Sequence, residues 1–230
     1  MLWWRYLVAH GYECRVYGDP TSPYPRLDGL ATAGNVRTAV REMVHTAQSP
    51  DDHIVFVSSG HGSGDGQGNS YLCVLCDDTA ADPHARDGQY WDHELAQDLA
   101  GARATLFVHL DHCLSGGMIE EILQAVPRVF GTTTSNEVGF GYDDTKYDLG
   151  AWTHRFASQG LMQKKHGVPN DLVTVFESAR TEYKQRYAAR HDQPCLFARD
   201  GNTEADKWDS RYTALPPLGR FLRTGFLPIA

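Results

Sequence analysis

The sequence predicts an α/β protein: a mainly parallel sheet sandwiched by helices. Two observations predict it. Short continuous apolar runs, HIVFVSS at 53–59 and ATLFVHL at 104–110, end in polar, glycine-rich turns, as strands buried on both faces do. The segments between them carry apolar residues every three or four positions, the period of an amphipathic helix. At 230 residues and 25.6 kDa the chain is long enough for one large domain with a substantial core.

Each element has its own signature. Val36, Ala39, Val40, Met43, Val44 and Ala47 keep helical spacing and predict a helix over 35–48. After the strand at 53–59, YLCVLC (71–76) is a shorter strand. Trp91, Leu95 and Leu99 mark a helix over 90–100, which precedes the strand at 104–110. Gly116-Gly117 opens a helix marked by Met118, Ile119, Ile122, Leu123 and Val126, and RVFGTT (128–133) is a further strand. The stretch 134–150 is rich in Gly, Asp and Tyr and reads as a long loop. Trp152, Phe156 and Leu161 mark one more helix. Phe176, Ala179, Tyr183 and Tyr187 mark the last long one, entered through Pro169-Asn170-Asp171. Cys195-Leu196-Phe197 is expected to close the sheet as an edge strand. The tail after Arg199, with Pro216-Pro217 and Pro228, reads as a C-terminal extension over 200–230, irregular or packed on the 1–199 domain.

Composition narrows the function. The chain is 41% hydrophobic and 22% charged, with a mean hydropathy of -0.44. A net charge of -8 argues against nucleic acid as a partner, since phosphate contacts need clustered Lys and Arg. No apolar run approaches the eighteen or so residues of a membrane helix. The start is broken by Arg5, His10, Glu13 and Arg15, unlike a signal peptide. Five irregularly spaced cysteines favour a reducing compartment, with cytoplasm expected, and any special cysteine is then catalytic or metal-binding.

Two turns carry the candidate chemistry. Ser59-Gly60-His61-Gly62-Ser63-Gly64 follows one strand, and Asp111-His112-Cys113-Leu114-Ser115-Gly116-Gly117 follows another and leads into a helix. In parallel sheets functional residues gather beyond the carboxyl ends of the strands. A thiol becomes an effective nucleophile as the thiolate, and a neighbouring imidazole with a helix N-terminus favours that form. Cys113 is therefore the candidate nucleophile and His61 its general base. The amides of Gly62 and Cys113 are the natural donors to a developing oxyanion. A lone buried Cys or His is usually packing; it is the pairing of the two, each after a strand, that points to catalysis.

The pair "apolar strand, S-G-H-G" and "apolar strand, D-x-C-x-S-G-G" resembles the caspase-like superfamily of cysteine peptidases, which includes metacaspases and legumains. The separation of 52 positions is similar to that of the caspase-type His and Cys. VFGTTTSNEVGFGYDD (129–144) and YDLGAW (147–152) look like legumain-type peptidases in particular, and Gln193–Phe197 looks like the last strand of caspase-like folds. The resemblance covers about 1–199. It implies a dyad of His61 and Cys113 and places Asp111 at a position that often lines the pocket for the P1 side chain, the residue before the scissile bond. It also implies a strand ahead of the helix that LWWRYL (2–7) resembles, along with the loop that supplies a P1-binding arginine in caspases and legumains. The chain opens at the helix. It is therefore expected to be part of a longer protein or a regulatory assembly, or to have Cys14–Tyr17 pair directly with His53–Ser58. Where legumains carry an acidic residue after LG, this chain has Ala151.

The expected function is endopeptidase cleavage of proteins or peptides. An acidic pocket without a cation prefers a cationic side chain, so cleavage after Arg or Lys is expected, with Asp111 as the main charge and Asp148 as helper if its loop folds inward. Alternatives are an Asn-specific legumain-like peptidase, a peptide ligase or transamidase on the same thioester, and an inactive caspase-like scaffold. No cofactor is expected. Calcium activation follows by resemblance to some metacaspases, with Asp77-Asp78, Asp143-Asp144 and Asp148 as acidic loops, but no EF-hand spacing supports it. Cys73-x-x-Cys76 lacks a second pair to make a zinc site. His112 reads as structural. Segments 134–150 and 162–170, with Lys146, Lys164 and Lys165, are candidates for processing or for ordering by substrate.

Overall fold

A computed structural model describes residues 2–21, 24–163, 172–187, 193–200 and 206–207. From the N-terminus the chain runs through α1 (Leu2–Ala9), β1 (Tyr17–Gly18), β2 (Gly29–Leu30), α2 (Ala33–Thr46) and β3 (His53–Ser59). Then come β4 (Gly62–Gly64), β5 (Ser70–Cys73), α3 (Pro83–Arg86), β6 (Gln89–Trp91), α4 (Asp92–Leu99) and β7 (Thr105–Asp111). A 3-10 turn, Ser115–Met118, opens α5 (Ile119–Ala125), followed by β8 (Arg128–Thr133), β9 (Asp143–Asp144) and β10 (Leu149–Gly150). A π-helical run, Thr153–Met162, precedes α6 (Leu172–Arg186), β11 (Cys195–Asp200) and β12 (Asp206–Lys207).

The main sheet has the order β12-β11-β8-β7-β3. β3, β7 and β8 are parallel, while β11 runs antiparallel to β8 and β12 antiparallel to β11. β7 lies between β8 and β3, and its residues from Leu106 to Asp111 are all buried. Alternation sends its side chains to two cores. Leu106, Val108 and Leu110, with Ile54 and Phe56 of β3, pack against α2, α4 and α5 through Val40, Leu95, Leu99 and Ile122. Phe107, with Phe130 of β8, packs on the other face against Trp3, Trp152, Phe156, Phe176 and Tyr183. Each fully buried side chain of this size contributes about 1.5–3 kcal/mol. The helices thus cover both faces, the α/β architecture read from the sequence.

Local chemistry explains the helix ends. Thr32 caps α2, its hydroxyl accepting from the Asn35 amide at 3.3 Å. The Glu94 carboxylate accepts from the Trp91 amide at 3.0 Å at the start of α4. α2 and α4 are joined by the buried Asp98, which accepts from Arg37 Nε (3.1 Å), Arg41 Nε (2.7 Å) and the Tyr90 hydroxyl (2.8 Å).

Several expectations need correction. The 71–76 strand ends at Cys73 and joins a separate antiparallel sheet, β4-β5-β6. The closing strand at 195–197 extends to Asp200 and is not the edge, because β12 pairs with its outer side. The 134–150 loop contains the short antiparallel pair β9–β10. The 151–162 helix has i→i+5 character, as in the Gln163 amide donating to Ser158 O at 3.0 Å. Cys14–Tyr17 does not pair with His53–Ser58; Tyr17–Gly18 pairs with Gly29–Leu30 instead. β3 therefore has β7 as its sole strand partner among the described residues. Pro169-Asn170-Asp171, Lys164, Lys165 and the tail from 208 lie outside the described residues.

Candidate active site

Ser59 is register partner to Asp111, so two adjacent parallel strands end together. The Gly60 amide donates to Asp111 O at 3.2 Å, joining the turns just beyond. One residue further on one side is His61, and two residues past Asp111 on the other is Cys113. Both sit at the same carboxyl edge of the sheet.

The turns touch through backbone. A Cβ on Gly62 would collide with His112 Nδ1 and the Cys113 carbonyl oxygen, so only glycine fits there. Hydrogen bonding places the Gly62 amide as well. The Cys73 amide donates to His61 O (3.0 Å) and the Asp65 amide to Asn69 O (3.2 Å), so the bonded rows of the hairpin fall at odd positions of β4. Gly62, opposite Leu72, lies in a non-bonded row, and its N–H points away from β5. The Cys113 amide has no protein acceptor among the described residues.

Cys113 is partly buried, and its Sγ accepts from the Gly141 amide at 3.4 Å. Leu114 follows in the left-handed region (φ 56, ψ 19), at a cost of about 1–2 kcal/mol for a residue with a Cβ. Its surroundings hold it there. The Leu114 amide donates to Gly139 O (2.9 Å), and the Ser115 and Ser135 hydroxyls each accept the other residue's amide at 3.2 Å. The 134–141 segment is thereby bound to the Cys113 turn, while Val138 and Phe140 stay 62% and 57% exposed beside it. His61 is exposed. His112 is buried, with Nδ1 2.9 Å from Cys113 O, and burial lowers its pKa to about 4.

Asp111 is fully enclosed rather than open to a cleft. Its Oδ2 accepts from the Thr153 amide at 2.8 Å, anchoring the first turn of the π-helical run. A Cβ on Gly150 would collide with the same carboxylate. Burial raises the Asp111 pKa to about 6, against hydrogen bonds from Thr153 and Thr134 that lower it, and the acidic neighbour is Asp143. Behind Thr153, its hydroxyl lies 2.9 Å from His109 Nε2, and burial takes His109 down to about 3. Asp148 is exposed in the turn between β9 and β10, with φ 53, and Ala151 is buried next to Gly150.

Cys73 and Cys76 are both exposed, and all five cysteines are free. Desolvation by its neighbours, and then the charge of Cys113, raise the Cys73 thiol above its ordinary value. Among the described residues no cluster of three or more His, Cys, Asp or Glu is arranged to hold a metal ion. No described helix is long and apolar enough to cross a membrane.

Sequence reasoning missed Gly141, Thr153 and Gly150, which hold the thiol and Asp111 from the far side of the 134–150 loop. It also missed the face of β4-β5-β6 beside His61. The alternation in SYLC and QYW was a signal for that face, but the register that aligns them was not. No protein-family model matches this chain, and no curated protein matches it by sequence.

Proposed function

We propose that the chain is a caspase-like cysteine endopeptidase with Cys113 as nucleophile and His61 as general base, acting in the reducing compartment its free cysteines favour. The observation that carries this reading is the joining of two sequence-distant turns at one sheet edge, Ser59 level with Asp111 and Gly62 against the Cys113 carbonyl. His61 takes the thiol proton, and the thiolate adds to the scissile carbonyl carbon. The Gly62 and Cys113 amides receive the oxyanion. The C–N bond breaks as His61 returns its proton to the leaving amine. Water, deprotonated by His61, then attacks the thioester, and the C–S bond breaks to regenerate Cys113.

For the P1 residue the reading is Arg or Lys. The Asp111 carboxyl is enclosed beneath the turn that leads to Cys113, its pKa is raised, and no cation contributes to it among the described residues, so a positive side chain reaching it would stabilise its charged form. Reaching it requires the cover formed by Gly150 and Thr153 to yield.

The test is hydrolysis of fluorogenic peptides varied at P1, with iodoacetamide-type labelling in parallel. Wild-type protein is expected to cleave P1-Arg and P1-Lys substrates and to label at Cys113. Cys113→Ala and His61→Ala should each lose about a thousandfold or more of kcat/KM. Labelling spread over several cysteines with no hydrolysis would sink the enzyme reading. Cleavage confined to Asn or Asp substrates would sink only the role of Asp111.

A further inference from the structure

From the register of the small sheet we infer that the exposed face of β4-β5-β6 is the subsite for the leaving half of the peptide. On that face Tyr71 and Trp91 form a ledge for a large apolar or aromatic side chain two residues after the scissile bond (P2′). The inference rests on the peptidase reading above and adds a specificity to it.

Cross-strand partners share a face of a sheet. Leu72 and Tyr90 are partners and both are buried, so that face is the inner one. The other face carries Ser63, Tyr71 and Trp91 in one row. The bond from the Cys73 amide to His61 O extends the register by one residue, which puts His61, Cys73 and Gln89 in the next row of the same outer face. His61 is thus continuous with a three-stranded outward surface.

The chemistry decides which half of the substrate lies there. The acyl half is bonded to Cys113, whereas the departing amine receives its proton from His61. The leaving peptide must therefore pass His61 and run onto the face that His61 shares. A diagonal neighbour across an antiparallel pair lies about 7–8 Å away, which sets the distance from His61 to Tyr71. Two residues of extended peptide cover about 7 Å, so the second side chain after the scissile bond meets Tyr71.

The ledge is fixed before any peptide arrives. The Tyr71 and Trp91 rings lie 4.7 Å apart at 53°, with His84 5.5 Å and His93 6.2 Å from Trp91. The Trp91 indole N–H donates to Gln89 Oε1 at 3.2 Å, so Trp91 presents ring surface to a ligand. Both rings are partly exposed. Such an aromatic pair attracts an apolar or aromatic side chain and gives nothing to an acidic one.

The experiment compares internally quenched peptides with Arg fixed at P1 and Phe, Leu, Gly or Asp at P2′, alongside an Arg-coumarin amide that has no residue beyond the scissile bond. Wild-type protein is expected to prefer Phe and Leu over Gly and Asp by about tenfold in kcat/KM. Tyr71→Ser and Trp91→Ala, tested separately and checked by thermal melting, should each erase most of that preference while the coumarin amide is cleaved at the wild-type rate. Tyr71→Phe should retain it. Coumarin-amide cleavage with no P2′ preference, or a preference unchanged in both folded variants, overturns the ledge and leaves the peptidase reading standing. No cleavage of either substrate, with no labelling of Cys113, removes both.

Discussion

Three buried titratable side chains at the end of β7 set how this protein responds to acid. His109 and His112 have pKa values near 3 and 4 because burial disfavours the imidazolium, and His109 Nδ1 and His112 Nε2 have no hydrogen-bond partner among the described residues. Below pH 6.5 the unfolded chain protonates each histidine while the folded chain does not. Stability present above pH 6.5 is therefore lost as pH falls, by about 1.4 kcal/mol per pH unit for each histidine. Asp111 works in the opposite sense. Its folded pKa of about 6 exceeds the ordinary 3.8, so the folded chain holds a proton that the unfolded chain releases, and stability is lost as pH rises from 4 to 6. Between pH 6 and 4 the two histidines outweigh the one carboxyl. Stability should fall by about 1.4 kcal/mol per pH unit on acidification from these groups together. Asp111→Asn keeps an acceptor for the Thr153 amide but removes the opposing proton, so its slope should steepen to about twice that value. Urea denaturation at pH 6, 5 and 4.5 measures both slopes, and equal slopes for the two proteins would show that Asp111 ionises normally.

Among the elements, β3 combines an interior strand's sequence with an edge position. Its Ile, Val and Phe residues are the composition of a strand buried on both faces, and that pattern made the strands read at 53–59, 104–110 and 128–133 legible from sequence, the second within one residue of β7. The edge position was legible only through the resemblance, which implies a further strand in the sheet; periodicity could not give it, because neighbours in a sheet depend on contacts between segments far apart in the chain. The small sheet was hidden for the same reason: SYLC and QYW are too short for periodicity to assign them to one sheet or another. The candidate dyad was legible, since glycine-rich turns after strands leave a local mark. The supports of Asp111 were not, because Gly150 and Thr153 reach it across some forty positions. Hydrogen bonds at both ends of β3 fix its parity. Thr105 N donates to Asp52 O and Gly60 N to Asp111 O, so the amides of Ile54, Phe56 and Ser58 face β7 and those of Val55 and Val57 face outward. Hydrogen exchange should therefore be slow at Ile54 and Phe56 and much faster at Val55 and Val57. Equal protection along the strand would reveal a partner on the outer edge.

Across the whole molecule, β7 serves both cores. Phe107 belongs to one cluster, and Leu106, Val108 and Leu110 belong to the other, so neither face can lose its helices without exposing the strand that leads into the Cys113 turn. Heat inactivation and global unfolding should then share one midpoint, followed by peptide hydrolysis and by far-ultraviolet circular dichroism on the same samples. Inactivation well below the unfolding transition would place the active turns in a separately melting unit. The contact of Gly62 with the Cys113 carbonyl also limits how such a chain can diverge. The two turns belong to different stretches of the gene product and share no loop, yet one added methyl group on the first displaces the second. A side chain at position 62 therefore requires the 112–113 backbone to move with it, so the choice of residue in one stretch is set by the path of another.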